Sequence, residues 1–491
     1  MILPSILYGF FLAGVVLLYW LAPNKVAKLL VLLVTSLYFY ASLQLQYVPL
    51  MLVLVGLNFV IGKSLAAPLD WRIPNEAWQY AQADWNRRRR LLLGLGIALN
   101  ALLLLGFKYL SPTIEAFGFN RGTEGVLAGW VMPLGLSFFA FECIAYLVDV
   151  YRGSPASDEL LEFAAYKLFF PKLISGPITR FHSFSAQMKA PTLPSMSQNA
   201  EGLWLIASGT VKKLLIADRI GQIVNLSAES LPRAGSGDIW LLTFAYGLQL
   251  YLDFSGYVDI ARGSALLLGF NLPQNFNFPY FATSIADFWR RWHITLGDWL
   301  RNYLYFPLGG SRRSLARTCL NLMIIMLIAG VWHGDRWGFI VWGAIHGLAL
   351  IIHRLSGALS ERVSLLKSFW ASAPGIFLAW GFTQLIVFFS WIFFRLPSLS
   401  DAGLAVRHLV GHTADVQFAQ KVYNDSFGLN RPQISLLLAG IVALTGIAYV
   451  VQNKLKLQIS WPVKVLLLPV CFYLAWILAP SEASPYIYFD F

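Results

Sequence analysis

Residues 318–333 read TCLNLMIIMLIAGVWH, an apolar run of nearly the length that a membrane-spanning helix needs, and the run ends on a histidine. A short polar break follows, and a second apolar run then covers residues 337–353. We therefore expect His333 to lie where a membrane helix ends at a tight turn. Gly330 and Gly334 flank the histidine without side chains, which lets backbone or a ligand approach it closely.

Apolar runs of this kind recur along the whole chain. A spanning helix needs about 20 residues, so we expect roughly 10 to 13 membrane crossings, some of them tilted or re-entrant. The loops after the first, third and fifth runs are rich in Lys and Arg, which places the N-terminus outside the cytoplasm. The other runs lie near residues 6–21, 28–44, 47–66, 91–110, 129–150, 201–226, 237–269, 374–395, 434–451 and 462–480.

Composition agrees with a membrane protein. Hydrophobic residues make up 57% of the chain and charged residues 13%, with a mean hydropathy of +0.60. A soluble domain carries about 25% charged residues, so this chain lacks the charge to cover soluble surfaces. We predict one all-α membrane domain over residues 1–491 whose outside faces the lipid bilayer. The first run has no basic segment before it and no cleavage site after it, so we expect a retained span rather than a signal peptide.

The net charge of +12 is typical of basic cytoplasmic loops in a membrane protein. Nucleic-acid binding would need a basic soluble module, and none is recognisable, so no nucleic-acid partner is expected. The cysteines lie far apart in apolar runs and suggest neither a disulfide framework nor a metal site. These cysteines are Cys143, Cys319 and Cys471.

Ionisable residues inside apolar runs are costly, so each is a functional candidate. Asp149 and His353 also have a simpler interpretation, because they lie at run ends. Asp253 and Asp259 flank the sequence FSGY at 254–257, which we interpret as a helix break lining a cavity. The full set of candidates is Glu142, Asp149, Asp253, Asp259, Asp287, His293, His333, His346 and His353. A polar stretch at residues 396–432 adds His408 and His412, which we expect to be solvated.

Residues 284–303, SIADFWRRWHITLGDWLRNY, are strongly amphipathic at the helical period. We predict one interfacial helix here, with His293 at the edge of its apolar face. Spacing alone leaves His293 open between a core or interfacial residue and a functional one. His333 is equally open between a structural histidine and a general base, whose unperturbed pKa near neutrality suits that role. Metal ligation by the histidines lacks an HExxH motif, and a Ser-His-Asp triad lacks a GxSxG elbow.

At this point the motifs match a known family. The chain resembles the membrane-bound O-acyltransferases (MBOAT), and within them the bacterial alginate O-acetylation branch. The sequence departs from the family pattern at residues 294–297, at Asn302 and at Asp335, which leaves acyl and acceptor preference open. The matching motifs are MPLGLSFF at 132–139, YLVDVYR at 146–152, FFPKLISGPI at 169–178, DFSGY at 253–257, NFNFPY at 275–280, FWRRWH at 288–293, GVWHG at 330–334, WGAIHG at 342–347 and YIYFDF at 486–491.

The resemblance implies an MBOAT-type bundle of spanning, re-entrant and interfacial helices around a central tunnel. It implies an O-acetyltransferase of the inner membrane that moves an acetyl group across the bilayer onto an exported polysaccharide such as alginate. His333 matches the catalytic position, where it would be the general base, and His293 matches the second active-site position. No bound cofactor and no metal are implied, and acetyl-CoA or another acyl thioester is the expected donor.

The expected partners are an extracytoplasmic SGNH-type acetyltransferase and the polysaccharide biosynthesis machinery. Two alternatives stay open at this stage. One is transfer of D-alanyl or another acyl group to teichoic acid or peptidoglycan. The other is a transporter in which the histidines relay protons, although no inverted repeat is visible in the sequence.

Overall fold

In the computed structural model of the protein, the described residues are 5–69, 72, 74–116, 132–479 and 485–487. This part of the chain is helical and contains no β-strand, which confirms the predicted all-α class. The helices are α1 (Ile6–Leu21), α2 (Lys25–Gln44), α3 (Val48–Ala66), α4 (Asn75–Ala116), α5 (Leu136–Tyr151), α6 (Leu160–Lys167), α7 (Phe181–Lys189), α8 (Met196–Thr210), α9 (Asp218–Glu229), α10 (Ser236–Leu267), α11 (Ile285–Arg291), α12 (Ile294–Leu300), α13 (Leu315–His333), α14 (Trp337–Arg362), α15 (Ser364–Ala371), α16 (Ala373–Arg395), α17 (Leu399–His408), α18 (Val416–Ala419), α19 (Asp425–Phe427), α20 (Arg431–Tyr449) and α21 (Trp461–Leu478).

Within the described residues, seven helical stretches are long and apolar enough to cross a membrane, which confirms a multi-pass membrane protein. The first stretch joins α2 to α3 through a short 3₁₀ turn, and α1 is a shorter apolar helix. The larger number of crossings, the orientation and the central tunnel stay predictions. The stretches are Lys25–Ala66, Glu76–Leu110, Leu315–His333, Trp337–Arg362, Ala373–Arg395, Arg431–Lys454 and Trp461–Leu478. Residues 129–131 of the run predicted at 129–150, and residues 488–491 of the last motif, lie outside the described residues.

The chain divides into two compact units. The first comprises Met1–Ile206 and Tyr257–Pro273, and the second comprises Ala207–Gly256 and Gln274–Phe491. The prediction of one membrane domain over residues 1–491 stays a prediction.

In the first unit, a buried ion cluster occupies the core around Glu142 of α5. Lys172 Nζ lies 2.6 Å from both Glu142 carboxylate oxygens, and Lys167 Nζ lies 3.0 Å from one of them. The Thr179 N–H donates to the same carboxylate over 2.9 Å. Buried charges are tolerated only when they are paired and hydrogen-bonded in this way. Glu142, a functional candidate in the sequence, is therefore a structural residue that ties α5 to α6 and to the loop after it.

Helix α10 corrects the predicted helix break. The helix runs without interruption from Ser236 to Leu267, so the break expected at residues 254–257 is wrong. Asp253 is accommodated by pairing instead, because Lys213 Nζ lies 2.6 Å from its Oδ1 and 2.9 Å from Asp218 Oδ1. Lys213 comes from a π-helical segment at Val211–Ala217, between α8 and α9. The Asp253 carboxylate is therefore compensated by a lysine that is distant in the sequence, and the helix stays unbroken.

Candidate active site

His333 lies where the sequence predicts it. It is the last residue of α13, and an extended Gly334 follows before α14 begins at Trp337. Phe339 of α14 packs closely against both glycines beside His333. A Cβ on Gly330 would lie 2.4 Å from the Phe339 carbonyl oxygen, and one on Gly334 would lie 2.5 Å from the Phe339 ring. Only glycine lets α13 and α14 pack this closely beside the histidine.

The His333 imidazole lies in a pocket of aromatic rings and is 3% exposed. Its ring centroid is 4.5 Å from Trp332, 4.8 Å from Phe394 and 5.1 Å from Trp342, which meets it edge-on. Phe394 belongs to α16 and Trp342 to α14. Rings from three helices therefore hold this imidazole in place and shield it from water.

His293 lies in a helix break, which corrects the predicted single helix over residues 284–303. Helix α11 ends at Arg291, α12 starts at Ile294, and His293 has φ 43° and ψ 55°. This left-handed conformation costs roughly 1–2 kcal/mol for a residue with a side chain, so the surroundings must impose it. His293 is 1% exposed rather than at an interface. Burial also holds the pKa of its imidazole well below the usual range, so the ring is neutral at neutral pH.

The loop before α11 imposes this break through Asn275, whose side chain is fully buried. Asn275 Oδ1 accepts from the Thr295 N–H and the Thr295 hydroxyl, both over 3.0 Å, and lies 3.2 Å from His293 Nδ1. Its backbone carbonyl accepts from the Ile294 N–H over 3.0 Å. Sequence reasoning did not single out Asn275 as a site residue, although it opens the family motif NFNFPY.

The two predicted site histidines both contact the ring of Trp332. The Trp332 ring centroid lies 6.4 Å from His293 and 4.5 Å from His333. Phe254 of α10 packs edge-on against His293 with a centroid distance of 4.9 Å. The structure therefore brings His293 and His333, which are 40 residues apart in the sequence, into a single buried aromatic cluster.

His346, by contrast, is a bracing residue with both nitrogens satisfied. The Trp289 indole N–H donates to His346 Nδ1 over 3.3 Å, and His346 Nε2 lies 2.9 Å from the Ser390 hydroxyl oxygen. The ring is fully buried between α11, α14 and α16. These contacts occupy the groups that proton transfer or metal binding would need. The other candidate on α14, His353, is exposed.

The expectation that His408 and His412 are both solvated is wrong for one of them. His408 is 8% exposed, and its Nδ1–H donates to the Ala234 carbonyl oxygen over 3.0 Å. The exposed His412 stacks on it with a centroid distance of 3.6 Å. Among the residues that the structure describes, no group of three His, Cys, Asp or Glu side chains could hold a metal ion.

The chain is similar in sequence to known proteins over the region that carries this site. The family model for the membrane-bound O-acyltransferases matches residues 136–394, a range that contains Asn275 and both predicted site histidines. A protein named "Probable alginate O-acetylase" from Azotobacter vinelandii is 38% identical, over 78% of this chain and 73% of its own length. The peptidoglycan O-acetyltransferase of Helicobacter pylori is 34% identical, over 79% of this chain and 75% of its own length.

A more distant relative, the teichoic acid D-alanyltransferase of Streptococcus thermophilus, is 25% identical over 68% of this chain and 85% of its own length. The matched range includes the helices that carry the aromatic cluster, and the relatives above 30% identity extend over more than three quarters of the chain. The predicted enzyme class, an O-acyltransferase, is confirmed. The chain belongs to the membrane-bound O-acyltransferase family.

Proposed function

We propose that this protein transfers an acetyl group from a thioester donor, acetyl-CoA in the simplest case, for O-acetylation of an exported polysaccharide at the inner membrane. The similarity to proteins named as alginate and peptidoglycan O-acetyltransferases supports an acetyl group and a polysaccharide acceptor. An extracytoplasmic SGNH-type transferase would receive the acetyl group and complete the transfer to the polymer.

The single observation that carries this proposal is the aromatic cluster that holds both histidines. A thioester is already electrophilic, so the enzyme must mainly align it with a hydroxyl group and remove the hydroxyl proton. His333, held at the end of α13 by Trp332, Trp342 and Phe394, is suited to be that base. His293 would position the acceptor or the donor from the same cluster.

The proposed reaction balances without a cofactor. The hydroxyl oxygen attacks the thioester carbonyl carbon while its proton moves to His333. The carbon–sulfur bond then breaks, and the imidazolium returns the proton to the leaving thiolate. The products are an O-acetyl ester and a free thiol, and the histidine is neutral again. A positioned general base typically contributes about 10²- to 10⁴-fold to such a rate.

The assay uses the purified protein in lipid nanodiscs with radiolabelled acetyl-CoA and an alginate oligosaccharide, with and without an SGNH-type transferase. With that transferase present, we expect a labelled ester on the oligosaccharide and release of CoA thiol in equal amounts. A labelled D-alanyl thioester is offered in parallel, because the Streptococcus relative carries that activity in its name. Ester formed only from the D-alanyl donor would contradict the acetyl proposal.

A second arm tests the transporter alternative with the protein in sealed vesicles. Uptake of intact labelled solute into the vesicles, with no ester formed, would contradict the enzyme proposal. Family membership already favours the enzyme, since the family is defined by acyl transfer.

A further inference from the structure

The Asn275 side chain has a defined orientation in the structure. A backbone N–H can only donate, and the Thr295 N–H points at one end of the Asn275 amide from 3.0 Å. That end must therefore be the carbonyl oxygen, Oδ1, rather than the NH₂ group. The Thr295 hydroxyl donates to the same oxygen over 3.0 Å.

This orientation determines the tautomer of His293. Its Nδ1 atom lies 3.2 Å from the same Asn275 oxygen, which can only accept a hydrogen bond. Nδ1 must therefore carry the hydrogen. A neutral imidazole has one N–H group, so Nε2 carries the lone pair and is the atom that can accept a proton or a hydrogen bond.

The same residue also fixes the backbone at the break. The Ile294 N–H, directly after His293, donates to the Asn275 carbonyl oxygen over 3.0 Å. Two residues further along the loop, the Asn277 N–H donates to the Arg291 carbonyl oxygen over 2.9 Å. The loop thus pairs with both sides of His293 and keeps it in its left-handed conformation.

We propose that Asn275 is a positioning residue for acyl transfer, which fixes the Nδ1–H tautomer and the left-handed conformation of His293 so that Nε2 is the acceptor atom in the site. The inference rests on the proposed role of His293 in acyl transfer. It adds a residue to the site and a defined protonation state to the second histidine.

An amide suits this position better than a carboxylate. An aspartate would offer the same acceptor oxygen, but its negative charge would stabilise the imidazolium form of His293 and raise its pKa. The neutral amide orients the ring while leaving it unprotonated. Asn275 Nδ2 is buried and has no hydrogen-bond partner among the described residues, so the structure does not use the NH₂ group for orientation.

The experiment compares Asn275→Ala and Asn275→Asp with His293→Ala in the nanodisc acetyl-transfer assay. The matched control is Asn58→Ala, which removes another fully buried asparagine, paired with Asn100 over 2.8 Å on helices of the first unit. We expect Asn275→Ala to lower kcat by at least about tenfold with little change in KM, because the tautomer is no longer held. Asn58→Ala should retain its kcat.

Asn275→Asp should recover most of the lost kcat at high pH, since the acceptor oxygen returns. Its activity should fall at a higher pH than in the parent protein as the pH is lowered, because the raised pKa protonates His293 earlier. A merely structural role would not move this limb of the pH profile. If Asn275→Ala does not insert into the membrane, the pH–activity profile of Asn275→Asp still tests the proposal. An acid limb at the same pH as in the parent protein would contradict it.

Solid-state NMR of ¹⁵N-histidine-labelled protein gives a readout independent of activity, with the His293 signals assigned from their loss in His293→Ala. We expect Nδ1 protonated and Nε2 bare in the parent protein, and a mixture of tautomers in Asn275→Ala. A protonated Nε2 in the parent protein would overturn the inference. Full activity of His293→Ala would instead overturn the proposed role of His293. Loss of activity in His293→Ala with an unaffected Asn275→Ala would overturn the role of Asn275 alone.

Discussion

Nε2 of His346 donates to the hydroxyl oxygen of Ser390 over 2.9 Å, and this oxygen in turn donates its own hydrogen to the Val387 carbonyl. The chain of hydrogen bonds starts at Trp289, whose indole N–H donates to the other His346 nitrogen. It joins α11, α14 and α16 around the aromatic cluster. His346 thus stabilises the walls of the site without offering a free nitrogen to a substrate.

His346→Ala should therefore reduce the thermal stability of the protein more than it reduces the rate of acetyl transfer. It leaves the partly buried Trp289 indole N–H without its acceptor, which costs at most about 1–3 kcal/mol, and it also opens a cavity where the His346 ring was fully buried. We expect a lower Tm by differential scanning fluorimetry, with measurable acetyl transfer below that Tm. Complete loss of transfer at an unchanged Tm would show that His346 takes part in the reaction.

Gly330→Ala should displace His333. The added Cβ would lie 2.4 Å from the Phe339 carbonyl oxygen, which belongs to backbone and cannot rotate away. Overpacking of this kind costs typically about 1–3 kcal/mol and would shift the end of α13 against α14. We expect a clear loss of kcat in the transfer assay. The control is Gly440→Ala on α20, where an added Cβ meets nothing within 4 Å. Equal activity of the two variants would contradict the close packing of α13 against α14 beside His333.

Lys213→Met should be among the most destabilising single changes in the second unit. Lys213 pairs with two buried carboxylates, those of Asp218 and Asp253, and its loss would remove this ion pair from both of them. Breaking a buried ion pair on one side typically costs about 3–5 kcal/mol. The matched control is Arg301→Met, which breaks an exposed pair with Asp298. Chemical denaturation in detergent should show a large loss for Lys213→Met and a small one for Arg301→Met.

The double variant Lys213→Met with Asp253→Asn distinguishes charge from packing. Removing the charge of Asp253, which has lost its lysine, should recover part of the lost stability. No recovery would mean that the lysine stem, and not its charge, is what the core requires.

The features that the sequence predicted correctly depend on local composition. The apolar run at 318–333 and the glycines around His333 predict the end of α13, because an apolar run that stops at a polar turn needs no distant partner to define it. The observed helix, Leu315–His333, ends on the predicted residue. The resemblance then pointed to His293 and His333 together, which spacing alone had left open, and the structure places both beside Trp332, while their roles stay a prediction.

The features that the sequence missed depend on partners far along the chain. Helical periodicity of 100° per residue assumes an unbroken right-handed helix, so it cannot predict that His293 has a φ of 43°. That conformation is held by Asn275, 18 residues earlier. Asp253 pairs with Lys213, 40 residues away, where the pattern suggested a break. His408 is buried because it bonds Ala234, 174 residues away.

If His333 is the base of acetyl transfer, as we propose, the single-turnover rate of His333→Ala reports this role most directly. His353→Ala is the matched control, an exposed histidine on the adjacent helix α14. We predict that His333→Ala inserts normally, keeps its Tm within a few degrees and loses about 10²- to 10⁴-fold in rate, while His353→Ala keeps the parent rate. A His333→Ala protein that transfers acetyl groups at the parent rate would show that His333 is not the base.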